Sequence, residues 1–245
     1  MEKCMSFKFC IAVLSILLSI TTATAASVPH TVEEVRHIKS LLQKMIDVNL
    51  RYKEKFHDII SHSTLEQQTP HATIVMCSDS RIDMDILTDT PAGEMFVIRN
   101  IGNQLSTASG SVEYGVDHLK TQLLLVVGHS GCGAVKAAMQ DYSSESEHLK
   151  AELNTLNINP KDSLNQNLVR NVNNQVSDAA KKFQEKMASG KVLIMGMIYD
   201  MHNDFGFGNG QLILVNINTL TDPKALRASE YTKGLKHLKI YGNRN

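Results

Sequence analysis

The sequence predicts an α/β fold: a central, mostly parallel β-sheet flanked by helices, with an N-terminal helical arm. Three observations predict it. Thr73-Ile74-Val75-Met76 and Leu123-Leu124-Leu125-Val126-Val127 are short uninterrupted apolar runs, the pattern of strands buried on both faces. Stretches with helical periodicity separate and follow the runs. Each run also ends in chemically active residues, Cys77 after the first and His129 after the second. Sites in open α/β sheets lie at those C-terminal strand ends.

Taken in order, residues 1–25 read as a secretory signal peptide. Lys3 and Lys8 make a weakly basic start, and Phe9 to Ile20 is apolar but short for a bilayer span. Ala23-x-Ala25 supplies a small-residue cleavage site. The mature chain, 26–245, is then expected in the periplasm or outside the cell, with no membrane attachment after cleavage. It has 220 of the 245 residues, a length suited to one domain. Cys4 and Cys10 leave with the signal, so Cys77 and Cys132 are the two cysteines kept. In an oxidising compartment such a pair also permits a disulfide.

Lysine plus arginine and aspartate plus glutamate number 25 each, so the chain carries no net charge. That gives no electrostatic case for nucleic acid or an anionic membrane as partner. A hydrophobic content of 42% is enough for a packed core.

The arm is expected over 31–62, where Val35, Ile38, Leu42 and Met45 share a helical face and Thr31 with Glu34 forms a capping box. The catalytic core is expected over 70–220. Pro70 introduces the first strand, Ala72–Cys77. A short helix follows at 82–87, a turn at Pro91-Ala92-Gly93-Glu94, a strand at 95–99 and a helix at 110–119. The third strand is 123–127, and a helix begins at 131–140. Residues 141–162 are polar, a loop or a partly helical insertion. Residues 164–187 read as one long helix stopped by Gly190. Two strands, 191–199 and 211–218, meet through a glycine-rich turn, and 223–241 is expected to be helical.

Cys77, His129 and Cys132 are the donor types of a three-ligand zinc site, which leaves a fourth tetrahedral position for water. Among the other histidines, His118, His148, His202 and His237 are isolated in sequence and read as surface or hydrogen-bonded residues.

Cys77-x-Asp79-x-Arg81 together with His129-x-x-Cys132 resembles the β-class carbonic anhydrases. The similarity continues through Pro91-x-Gly93-Glu94-x-Phe96-Val97-x-Arg99-Asn100 and Ser111-Val112-Glu113-Tyr114-Gly115-Val116. It extends to Asn171-Val172-x-x-Gln175-Val176 and Gly196-x-x-Tyr199-Asp200, covering roughly 35–220. The resemblance implies the β-carbonic anhydrase fold and one zinc ion per chain on Cys77, His129 and Cys132. It implies reversible hydration of carbon dioxide to bicarbonate and a proton through zinc-bound hydroxide. Asp79 and Arg81 become a catalytic dyad, with Asp79 a fourth zinc ligand in a closed state. Gln68, Phe96, Ile101, Tyr114 and Gly133 become substrate-binding residues, and the partners become a homodimer or tetramer. Two thiolates neutralise the zinc charge, so activity is expected to rise toward alkaline pH. Arg99 and Tyr114 occur at an inhibitory bicarbonate site in some family members beside a Trp, and this chain has no Trp. Other readings of the same residues are hydrolysis of carbon disulfide or carbonyl sulfide, a non-catalytic zinc-stabilised module, and a disulfide-linked or redox protein.

Overall fold

A computed structural model describes residues 31–56, 65–89 and 92–242. The expected signal peptide lies outside the described residues, as do 57–62 of the expected arm and Pro91 of the expected turn. The chain divides into two units, 1–54 and 55–245.

The first unit holds α1, Val32–Glu54. Its capping box forms as expected: Thr31 N donates to Glu34 Oε2 at 2.7 Å and Glu34 N to Thr31 Oγ1 at 3.2 Å. Val35, Ile38, Leu42 and Met45 are all exposed on it.

The second unit holds a six-stranded sheet in the order β2-β1-β3-β4-β5-β6. The strands are β1 Ala72–Cys77, β2 Met95–Asn100, β3 Leu123–His129, β4 Leu193–Asp200, β5 Gln211–Ile217 and β6 Lys239–Ile240. Only the β4–β5 pairing is antiparallel, the hairpin expected around the glycine-rich turn. β1 and β3 are central and nearly wholly buried, which is why their sequences are apolar without alternation. The chain leaves β1 to one side for β2 and returns to the other side for β3. Such a reversal opens a crevice at the strand ends, and here it falls between Cys77 and His129.

Among the described residues of this unit the α-helices include α2 Ser109–Glu113, α3 Gly133–Ala138, α4 Glu147–Asn154, α5 Leu164–Lys182, α6 Gln184–Ala188 and α7 Pro223–Ala228. The main one is α5, which lays Leu168, Val172, Val176 and Ala179 on the sheet. Its approach depends on missing side chains. A Cβ on Gly128 of β3 would stand 2.6 Å from a Val172 methyl, and one on Gly196 of β4 would stand 2.7 Å from the other.

Three expected elements differ. The helix expected over 110–119 is α2 followed by a π-helical turn, Tyr114–His118. The helix expected over 164–187 breaks at buried Phe183, whose φ of −109° and ψ of 29° leave the helical region before α6 begins. The C-terminal stretch is not helical to 241. After α7 it turns and adds β6 beside β5, and Ile240 is fully buried there with Leu214, Ile217 and Leu226. Burial of that one isoleucine overrides the helical pattern around it.

Candidate metal centre

Cys77 ends β1, His129 ends β3, and Cys132 stands immediately before α3. Their ligand atoms all lie within 4.8 Å of one another, and all three residues are buried. The cysteines are free thiols. His129 Nδ1 lies 3.0 Å from the Ser130 carbonyl, which can only accept, so Nδ1 carries the proton. Nε2 is then a lone-pair donor, and it is buried without a hydrogen-bond partner. A buried nitrogen left unpaired is costly unless a ligand satisfies it. Two sulfurs and this nitrogen suit a divalent cation that accepts soft and borderline donors.

The thiols are electrostatically unequal. The hydrogen bond from Cys132 holds Cys77 down at about 4 against the opposing effect of burial, helped by the Gly102 amide. The same bond, together with burial, pushes Cys132 up. Gly102 N lies 3.4 Å from Cys77 Sγ. Its position is set from α5. Asn171 Nδ2 donates to Gly102 O at 2.9 Å, Gln175 Nε2 donates to Asn171 Oδ1 at 3.1 Å, and Leu105 N donates to Gln175 Oε1 at 2.8 Å. These buried amides fix the loop that presents an N–H to the sulfur.

Asp79 and Arg81 form a two-pronged pair, Nε to Oδ1 at 2.9 Å and Nη2 to Oδ2 at 2.6 Å. Arg81 N also donates to Oδ1 at 3.0 Å. The guanidinium holds the Asp79 carboxyl well below the usual carboxylate range. Asp79 Oδ2 is 3.8 Å from His129 Nε2, so the carboxylate borders the space the three donors face.

Phe96 and Tyr114 are neighbours, ring centroids 5.7 Å apart, and Tyr114 stacks on His118 at 5.3 Å. Tyr114 is 44% exposed, and Ile101 is half-buried beside Gly102. Gly133 opens α3, and nothing lies within 4 Å of where its Cβ would be. Gln68 is exposed before Pro70, and no hydrogen bond among the described residues joins it to the donors.

Two residues near the centre carry more than their sequence context indicates. Arg99 clasps the loop after β1 through the carbonyls of Cys77 at 3.1 Å, Asp79 at 3.0 Å and Ile82 at 2.8 Å. His202, isolated in sequence, lies against Ser130 and Gly131. An arginine ending a strand, or a lone histidine after one, has no local pattern that reveals such contacts.

The family profile described as carbonic anhydrase matches residues 72–206, more than half of the chain. The carbonic anhydrase of Mycolicibacterium smegmatis is 45% identical over 78 residues, 31% of this chain and 38% of that protein. The Helicobacter pylori carbonic anhydrase is 40% identical over 91 residues, 33% and 40% of the respective lengths. These matches thus span about two fifths of the curated relatives. Among solved structures, tetrameric β-carbonic anhydrases from Sordaria macrospora superpose with a TM-score of 0.59 at 21% identity, over 74% of this chain and 97% of theirs. Built on that fold, and matched by that profile across the strands that carry Cys77, His129 and Cys132, the chain belongs to the carbonic anhydrase family, in its β class.

Proposed function

We propose that this chain catalyses the reversible hydration of carbon dioxide to bicarbonate and a proton, with zinc held by Cys77, His129 and Cys132. The observation that carries the reading is a carboxylate locked two-pronged by Arg81 at the edge of a buried three-donor group with an unpartnered imidazole nitrogen. Bound there, zinc would supply the Lewis acidity that lowers the pKa of water and makes it a nucleophile.

The residues divide the remaining work. Asp79 accepts a hydrogen bond from the attacking water and so keeps the oxygen lone pair aimed at carbon dioxide. Arg81 occupies both Asp79 oxygens and thereby keeps the carboxylate from swinging in as a fourth ligand. Phe96, Ile101 and Tyr114 give the apolar substrate a surface. Gln68 and the Gly133 amide are the donors for its oxygens, which gain charge as carbon is attacked. The exposure of Tyr114 and of the α1 apolar residues supports a homodimer or tetramer whose second copy completes the pocket. Export under the 1–25 signal places the mature enzyme in the periplasm or outside the cell, which N-terminal sequencing of the exported protein tests.

Metal analysis paired with carbon dioxide hydration tests the assignment. The chain should hold about one zinc, the single-ion stoichiometry of a catalytic site, and Cys132→Ser should lose both metal and turnover. Full turnover in Cys132→Ser would refute the ligand set.

A further inference from the structure

His202 has no part in the chemistry above, yet its ring sits against the loop that carries two of the three metal donors. Ser130 Oγ lies 3.1 Å from His202 Nδ1 and accepts from Met201 N at 2.8 Å. The hydroxyl keeps one further acceptor site and its own proton, so the contact with Nδ1 forms in either tautomer of the ring. Gly131 has a φ of +67°, and a Cβ there would stand 3.0 Å from His202 Cε1, so the ring fills the place of a side chain.

The loop carrying His202 is itself anchored. Buried Asp200 accepts from the amides of His202 at 3.3 Å, Asp204 at 3.0 Å and Phe205 at 2.9 Å. Asp204 Oδ2 is the charged atom near the ring, 3.9 Å from Nδ1. The two residues His202 touches each continue into the centre. The Ser130 carbonyl accepts from His129 Nδ1, and the Gly131 carbonyl accepts from Arg81 Nη2 at 3.4 Å.

We propose that His202 is a positioning residue that clamps the 129–132 loop through Ser130 and Gly131, holding the His129 nitrogen and the Arg81 contact in register for the metal. The clamp rests on the zinc reading above. It acts through the loop and touches neither metal nor substrate. The side chain is 46% exposed, so removing it leaves no core cavity and its effect should appear at the metal rather than in the fold.

The test is zinc affinity of the full chain, measured by competition with a chromophoric chelator. The set is wild type, His202→Ala, His202→Asn, Ser130→Ala and the double variant, with denaturant unfolding of each metal-free protein alongside. His202→Ala should bind zinc about tenfold more weakly, as when outer hydrogen-bond partners of ligands are removed. Its metal-free unfolding midpoint should not move. His202→Asn should recover most of the affinity, because its side-chain amide can stand where Nδ1 stood and bond Ser130 Oγ by accepting or donating. The alanine effects should be less than additive. Wild-type zinc affinity in His202→Ala would overturn the clamp. So would an affinity loss matched by an equal loss of metal-free stability, which would make His202 a part of the fold only. A wild-type chain that takes up no zinc would instead overturn the metal reading beneath it.

Discussion

Asp79 is poised between two partners, the guanidinium that holds it and the metal space it borders at 3.8 Å from His129 Nε2. Its carboxyl is held below the usual range, so it is ionised at every pH from weakly acidic upward. The pair's contribution to stability is complete above the unfolded aspartate value of about 3.9 and is lost as pH falls through the lower folded value. That contribution is modest because Arg81 is half exposed. A carboxyl-carbon NMR titration should place Asp79 below the ordinary range, and Arg81→Ala should raise it. Arg81→Lys cannot make the two-pronged contact and should restore little activity. Arg99 acts through the backbone. Arg99→Ala strips three carbonyls of a charged donor and should cost about 2 kcal/mol or more in denaturant unfolding. The donors and the Asp79–Arg81 spacing were legible in the sequence because each half lies within a few residues of a strand end. His202 was not legible, because its contact with Ser130 joins residues 72 apart and no local pattern encodes it.

At the scale of elements, the sheet was the most legible feature. β1 and β3 are apolar except at Thr73, which bonds Thr121, and at His129, since helices and neighbouring strands exclude water from both faces. The α5 amides were legible as a motif but not as a device. Their role appears only when Asn171 and Gln175 are seen holding the 102–105 loop under Cys77. The π-helical turn and β6 were missed because each is decided by tertiary burial, of Val116 in one and Ile240 in the other. The close seat of α5 gives a direct test. Gly196→Ala drives a methyl to 2.7 Å from Val172 and 2.9 Å from Val176, and should cost about 1–3 kcal/mol. Adding Val172→Ala should return part of that loss, because it removes the atom the new methyl meets. Denaturant midpoints of the single and double variants measure both effects.

At the scale of the molecule, the two units differ in how they are stabilised. The unit spanning 55–245 buries its own core, whereas α1 exposes Leu41, Leu42, Met45, Ile46, Val48 and Leu50 to solvent. A helix with so much exposed apolar surface ordinarily meets a partner. Leu41→Ser with Met45→Ser should therefore lower the order of assembly in sedimentation velocity while leaving zinc content unchanged. Asp79-assisted hydration at a zinc site is open to direct test by stopped-flow carbon dioxide hydration across pH. The assay compares metal-quantified wild type with Asp79→Asn. Activity should rise through mildly alkaline pH, and the variant should lose about 10²–10⁴-fold with zinc retained. A zinc-replete wild type that hydrates no carbon dioxide at any pH, or an Asp79→Asn protein as active as wild type, would contradict that mechanism.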